Sequence, residues 1–340
     1  MRCFVNKGVF LKSKVLVTGA DGMLGASICR ELKKQDYSIK AFLLPDRERN
    51  VLDGLDLEVG YGNILDKKSL ETEMDGCEYV IHTAAISAVW PRRSEMTRRV
   101  IFDGTRNVME IAEKLGIRRM VHIGTANSFS PGPKEDPGTE ESEFDGWKFG
   151  VDYITSKYLT QQMLLDRYDR QKFPVIIINP TFMIGPYDSE PTSGKMLIEL
   201  LSGKLSAYST GGRNFVCSKD VAAAAVNALE QGRLGQCYVA GHENLEYREF
   251  FEKACHACEK DFKMIKVPGF LVFCFGFINS IAARITGKPP QLSFSMARLS
   301  RISHYFSSAK AIRELKMPQT PIEEGIKSNV SWFRSNGYLL

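Results

Sequence analysis

No apolar run in this 340-residue sequence is long enough to cross a bilayer with confidence. The longest, Val267 to Ile278, is followed at once by Asn279 and Ser280. Its plainest reading is a buried helix. Its sharper readings are a hydrophobic wall over a substrate cleft or a membrane-surface patch. No block of Lys or Arg is long enough for a nucleic-acid arm, and the formal charge is only +5, so nucleic acid is not an expected partner. Internal repeats and low-complexity segments are absent. No stretch resembles a secretory leader, and the eight cysteines are scattered, several within apolar runs. Buried free thiols and a cytoplasmic location are expected. Cys255-His256-Ala257-Cys258 has redox-motif spacing but no second pair to close a zinc site, so no metal is expected. His82 and His122 fall at strand positions and read as satisfied core histidines.

What is present centres on Lys14 to Gly25. A short apolar run, Val15 to Val17, reads as a buried parallel strand. Gly19, Gly22 and Gly25 follow at a spacing of three, and then a helical pattern with Ile28 and Leu32 on one face. Strand, glycine turn and helix together form the context in which a glycine pattern binds a dinucleotide. One glycine permits the tight turn, one lets backbone approach a pyrophosphate, and one lets helix and strand pack closely. Exposed N–H groups at the helix start then hold the phosphate charge. The alternative is a tight turn with no ligand.

Strands and helices alternate through the first half. Further strands are expected at Ser38–Leu44, Leu57–Tyr61, Tyr79–Ala84, Met120–Gly124 and Val175–Asn179. Helical patterns separate them at Lys67–Met74, Val100–Leu115 and Tyr153–Tyr168. Apolar strands joined by helices imply an α/β protein with a doubly wound parallel sheet, whose ligands bind beyond the carboxyl ends of the strands. Pro131 to Gly146, acidic and rich in Gly and Pro, reads as a mobile surface loop. After Pro180 the alternation breaks, with one more strand at Gln236–Ala240. A Rossmann-type domain is expected over 14–180 plus about 215–242, and a smaller, mostly helical substrate lobe over about 181–214 and 243–340.

After the fifth strand comes Thr125, and later, on a helix, Tyr153 and Lys157 four residues apart. That spacing puts phenol and ammonium on one side of the helix. A neighbouring ammonium favours the phenolate and lowers its pKa from about 10. Such a tyrosine exchanges a proton with a carbonyl or alcohol oxygen near neutral pH, and the Thr125 hydroxyl would hold the same oxygen. On its own the Tyr-x-x-x-Lys spacing is usually a solvated helix face. Its place after a glycine turn and a strand-end hydroxyl gives it weight.

These motifs, with His82-Thr-Ala-Ala85, Asp103-Gly-Thr-Arg-Asn107, Asn179-Pro-Thr-Phe-Met-Ile-Gly-Pro186 and Asn214 to Ala222, resemble the extended short-chain dehydrogenases/reductases. That branch includes sugar-nucleotide epimerases, dihydroflavonol reductases and 3β-hydroxysteroid dehydrogenases, and Asn-Pro-Thr at 179 inclines toward the last two. The resemblance implies Tyr153 as general acid/base, Lys157 as its modulator and ribose ligand, and Thr125 in the place of the usual Ser. It implies a pyrophosphate cradle of Gly19, Asp21, Gly22, Met23 and Gly25, and an adenine contact from Asn63 and Ile64. Ala84 and Ala85 would line the cofactor path, with Pro180 and Phe182 near the nicotinamide. Three departures stand out: Asn63 for the usual Asp, Ile101 for a usual Asn, and Cys217 where His is common.

The second strand ends in Leu43 and Leu44 with no carboxylate at its tip, and Arg47 and Arg49 follow, which favours NADP(H) over NAD(H). Trp90-Pro91-Arg92-Arg93 reads as a surface loop or a substrate wall with a cationic rim. The expected activity is hydride transfer between nicotinamide and a carbonyl or secondary alcohol of a fairly hydrophobic small molecule. The alternatives are a nucleotide-sugar epimerase or dehydratase with retained NAD, for whose diphosphate Arg213 is the one obvious cation, and a non-catalytic cofactor-binding scaffold. Relatives often pair through the helices corresponding to 100–115 and 153–168, which makes a homodimer the expected assembly.

Overall fold

The computed structural model describes residues 12–47, 50–286, 294, 297 and 302–339. Arg49 and the residues before Lys12, where the sequence allows either a short irregular arm or an extra strand, lie outside the described residues. In chain order the strands are β1 (Lys12–Thr18), β2 (Tyr37–Leu43), β3 (Glu58–Tyr61), β4 (Tyr79–His82), β5 (Arg119–Ile123), β6 (Val175–Pro180), β7 (Phe182–Ile184), β8 (Ala207–Tyr208), β9 (Gly212–Cys217), β10 (Gln236–Ala240), β11 (Glu243–Glu246) and β12 (Ile265–Lys266). The helices are α1 (Met23–Lys34), α2 (Lys67–Met74), α3 (Glu95–Arg98), α4 (Gly104–Lys114), α5 (Asp152–Gln171), α6 (Lys195–Leu201), α7 (Ser218–Asn227), α8 (Tyr247–Ala257), α9 (Gly269–Thr286), α10 (Ala309–Leu315) and α11 (Ile322–Ser335).

Seven strands form one sheet in the order β3-β2-β1-β4-β5-β6-β10, with every neighbouring pair parallel. This is a Rossmann-type sheet whose strand order reverses between β1 and β4. Strand period decides which residues meet which helices. Val15 and Val17 join the apolar layer of α1 and α7, whereas Leu16 joins that of α2, α4 and α5. Both faces are thus covered, as parallel strands without polar alternation require.

The chain after Pro180 also contributes a second core, in which the Phe215 and Phe250 rings stack at 4.1 Å. Here β7, β9 and β11 form a three-stranded sheet, and β8 pairs with β12. These five short strands escape sequence reading, because segments such as Glu243-Asn-Leu-Glu246 have no apolar run.

Two further expectations are corrected. The loop from Pro131 to Gly146 is pinned. Gly132 and Gly138 donate their N–H groups to the Tyr305 carbonyl at 3.2 and 3.1 Å, and Phe144 stacks on Tyr158 at 3.9 Å. Glu140 accepts from the Val239 N–H at 2.7 Å, which occupies a donor on the edge strand β10. The buried helix expected at Val267–Ile278 is a helix, α9, but one whole side of it faces solvent.

Candidate active site

The register of the central strands sets the position of the site. Thr18 of β1 pairs with His82 of β4, and His82 pairs with His122 of β5. The chain therefore leaves all three strands at one carboxyl edge, into the glycine turn, into Thr83-Ala84-Ala85 and into Gly124-Thr125. With strands about 4.8 Å apart, Thr125 stands roughly 10 Å from the glycine turn.

At the turn, Gly19 has φ +68°, and a Cβ there would meet the Ala84 Cα at 2.8 Å. A Cβ on Gly25 would overlap the Gly19 carbonyl, so α1 rests directly on the turn. Gly22 is the N-cap of α1 and brings no capping side chain, and the first turn holds no acidic residue. Beside Gly22 a Cβ would have only the Gly19 carbonyl oxygen, at 3.5 Å, for a neighbour. Uncapped N–H donors, the positive end of a helix dipole and open space suit a pyrophosphate, with Met23 at the first helical position. The residues present thus fit a dinucleotide. Burial raises the carboxyl of the neighbouring Asp21, and the Arg47 guanidinium, 3.6 Å away, pulls it back.

Arg47 also pairs with Glu190 from the 185–194 loop. After β3, Asn63 closes its own turn by accepting the Leu65 N–H at 2.9 Å. Ile64 is buried, with its carbonyl held by Asn107 Nδ2 at 3.1 Å. Pro180 ends β6, and half-buried Phe182 meets Phe215 edge-on at 5.5 Å. Ala84 is half-buried and Ala85 exposed at the edge of the crevice.

At the other end, the Thr125 side chain lies close enough to the Tyr153 phenol to lower its pKa. Asn179 Nδ2 donates to the Thr125 carbonyl at 3.0 Å and to Gln161 Oε1 at 2.8 Å, which sets the backbone of Thr125. Lys157 is buried, and its Nζ donates to the Ile123 carbonyl at 2.6 Å. Burial pushes the Tyr153 phenol above its usual value, partly offset by Thr125, and pushes Lys157 down to about 8. This corrects the expectation that Lys157 lowers the phenol: the ammonium is turned to a backbone carbonyl, and desolvation governs both groups.

The departures from the family pattern find physical explanations. Ile101 lies in a π-turn, Arg99–Asp103, between α3 and α4, and its side chain is fully buried. Its carbonyl accepts from Thr105 Oγ1 at 2.6 Å and Thr160 Oγ1 at 3.4 Å, so threonines supply the brace there. Cys217 is buried with Sγ 3.6 Å from the Thr320 carbonyl, and burial pushes its thiol up to about 12, which makes it inert. His82 is satisfied by Thr18 and Thr105 hydroxyls at 2.7 and 3.0 Å. His122 is not: it lies 5.4 Å from the His82 ring, and neither of its ring nitrogens has a hydrogen-bond partner. Arg93 is a tether rather than a free cation, bonding Asp152 at the start of α5 at 2.8 Å.

Sequence reasoning gave no role to Asn179, Asn107 or Glu190. The two asparagines stand inside recognised motifs, so their positions were a usable signal. Glu190 sits in a loop with no pattern.

The NAD dependent epimerase/dehydratase family model matches residues 15–241. A putative dihydroflavonol 4-reductase of Synechocystis is 28% identical, over 98% of both chains. Sterol demethylase protein B of Methylococcus capsulatus is 26% identical, over 95% of this chain and 99% of its own. The crystal structure of gox2253 superposes with a TM-score of 0.85 at 26% identity, over 97% of this chain and all of its own. A dTDP-glucose 4,6-dehydratase from Streptomyces venezuelae, solved with NAD and TYD bound, shares the fold at a TM-score of 0.77 and 21% identity, over 96% of this chain and 98% of its own. With the glycine turn and the Thr125–Tyr153 pair on one carboxyl edge, and the family match spanning both, the chain belongs to the NAD dependent epimerase/dehydratase family, whose members are enzymes of the short-chain dehydrogenase/reductase type.

Proposed function

We propose that this enzyme is an NAD(P)(H)-dependent reductase or dehydrogenase acting on a carbonyl or secondary alcohol of a fairly hydrophobic small molecule. The observation that carries the reading is the Tyr153 phenol beside the Thr125 side chain, with Lys157 buried one helical turn along. A bound nicotinamide supplies or accepts the hydride. Tyr153, kept protonated by burial, donates its proton to the substrate carbonyl oxygen as carbon is reduced, and takes it back in the alcohol direction. The Thr125 hydroxyl holds that oxygen. Lys157, with a pKa of about 8, is largely charged at neutral pH; it holds the ribose while its ammonium stays anchored to the Ile123 carbonyl.

Gly19, Asp21, Gly22, Met23 and Gly25 bind the pyrophosphate by backbone. Asn63 and Ile64 contact adenine, Ala84 and Ala85 line the path, and Pro180 and Phe182 flank the nicotinamide. Arg47 binds a 2′-phosphate, so NADP(H) is favoured; a clear preference for NAD(H) in binding measurements overturns that part.

A hydrophobic substrate is supported by Val89, Phe144 and Ile302, which pack with Tyr153 in one apolar cluster, and by the sterol and flavonoid names of several relatives. Arg213, the cation that a nucleotide-sugar diphosphate would need, donates to the Tyr247 hydroxyl at 2.9 Å and lies over the Phe182 ring. The test is cofactor oxidation with a panel of ketones, lost in Tyr153→Phe while cofactor binding remains. A tightly retained NAD with turnover of a nucleotide sugar would establish an epimerase instead.

A further inference from the structure

Helix α9 is inside out. Its inner side carries Asn279 and Ser280 together with Val272, Phe273, Gly276 and Ala283; Ser280 Oγ accepts the Phe294 N–H at 2.7 Å, and Phe273 meets the Phe294 ring at 4.7 Å. Its outward side carries Phe270, Phe275, Phe277, Ile278, Ile281 and Ile285, from 44% to 81% exposed. These positions recur at the spacing of one broad helix face. A surface helix in water shows the opposite arrangement, and a continuous apolar patch of this kind marks an interaction site.

The charge around the helix identifies the partner. From Phe262 to Arg313 the sequence has no Asp or Glu in 52 residues, although the chain's average of 40 in 340 would give about six. The same stretch has eight Lys and Arg. Two of them, Lys263, which pairs with exposed Asp261 at 2.9 Å, and Lys266, are exposed just before the helix and bracket Ile265, itself 71% exposed. Apolar residues with no anion among them from Phe262 on, and with Lys266 beside them unpaired by any acidic side chain among the described residues, match the headgroup region of an anionic bilayer. A second copy of the chain would bring two carboxylate-free cationic segments together, which disfavours self-association through this face. Among the described residues no helix is long and apolar enough to cross a membrane, so α9 would lie on the surface rather than span it.

We propose that the outward face of α9, with Lys263 and Lys266, docks this enzyme on an anionic lipid surface. Ile302, sixteen residues beyond the helix, packs against the same Phe149, Val151 and Ile154 cluster as Tyr153, so a docked α9 is linked by a short stretch of chain to the wall of the candidate active site.

The test is co-sedimentation of the full-length protein with vesicles of phosphatidylcholine alone and of phosphatidylcholine with one third phosphatidylglycerol. Binding is expected to the anionic vesicles, weakening as salt is raised. Phe277→Ser/Ile281→Ser is expected to lower the affinity at least about tenfold, and Lys263→Glu/Lys266→Glu by about fivefold or more per charge. Thermal unfolding of each variant checks its fold, and Ile285→Ser, at the helix end, serves where the double variant is unstable. The proposal is overturned by absence of sedimentation, by equal binding to neutral vesicles, or by α9 variants that bind anionic vesicles as well as the parent. It is also overturned if the apolar variants turn a dimer into a monomer in light scattering while the parent ignores vesicles.

Discussion

The carboxyl edge of the main sheet and helix α9 are opposites in how they place polarity. At the edge, Thr18, His82, Thr105, Thr125, Lys157 and Asn179 are all buried, and each has a hydrogen-bond partner at or below 3.3 Å. In α9 large apolar side chains face water and two polar ones face the body. Buried polar groups are kept when they orient chemistry, and exposed apolar groups when something else covers them. Apart from His122, the first region carries its partners inside the fold; the second lacks its partner. Substitutions should therefore have large effects at the edge and small effects on the isolated protein at α9.

The largest effect is expected at Tyr153. Tyr153→Phe removes the proton donor while keeping the ring, and a drop in kcat of ~10²- to 10⁴-fold is expected, with cofactor affinity held near the parent value in fluorescence titration. Asn179→Ala comes next. It frees the Thr125 carbonyl and Gln161, both of which it bonds, and leaving buried groups unpaired costs about 1–3 kcal/mol in urea unfolding. An unchanged midpoint would show that the edge is less tightly built than its hydrogen bonds indicate.

The buried histidines add a pH dependence. Burial, with the charge of Lys157 second, lowers His82 from 6.5 to about 3, and His122 moves the same way. As pH falls below 6.5 the unfolded chain takes up these protons before the folded one. The stability is thus fully present above 6.5 and lost on acidification, for His82 down to about 3 at about 1.4 kcal/mol per pH unit, with His122 adding in the same direction. His122→Leu, which also removes two unpaired ring nitrogens, is expected to take one histidine's share out of that slope in unfolding curves between pH 6 and pH 4 (a range read from the ~6.5 reference value).

How much of this was legible in the sequence follows the same division. The glycine turn, the strands and the Thr125, Tyr153 and Lys157 set could be read because each depends on local chemistry: a φ only glycine tolerates at 19, apolar runs that must be buried, and side chains one helical turn apart. Three things could not be read because they depend on tertiary contact. The direction of the Tyr153 shift is set by burial, and no spacing reveals how dense its surroundings are. The pinning of the 131–146 loop comes from Tyr305, far along the chain. The side of α9 that faces water is decided by what the rest of the fold leaves uncovered, since its sequence is apolar almost all round.

A smaller effect is expected where Arg47 meets the 185–194 loop. Glu190 occupies Arg47 from the 185–194 loop, and both side chains are well exposed. Glu190→Gln would release the guanidinium for a 2′-phosphate. A gain of about two- to fivefold in NADP(H) affinity is expected, with NAD(H) affinity unchanged, in keeping with the modest strength of exposed ion pairs. An equal change for both cofactors would place Arg47 away from the 2′ position.

The smallest effect is expected on the outward face of α9. Ile285 is 81% exposed, so Ile285→Ser removes almost no buried area, and a change below about 0.5 kcal/mol is expected in thermal unfolding without lipid. Ala283→Asp, on the opposite side of the same helix where only 3% of the residue is exposed, is expected to cost more, because an unpaired carboxylate would have to be buried. If the Ile285 variant proved the more destabilising of the two, the apolar face would already be covered within the fold, and the contrast between the two regions would disappear.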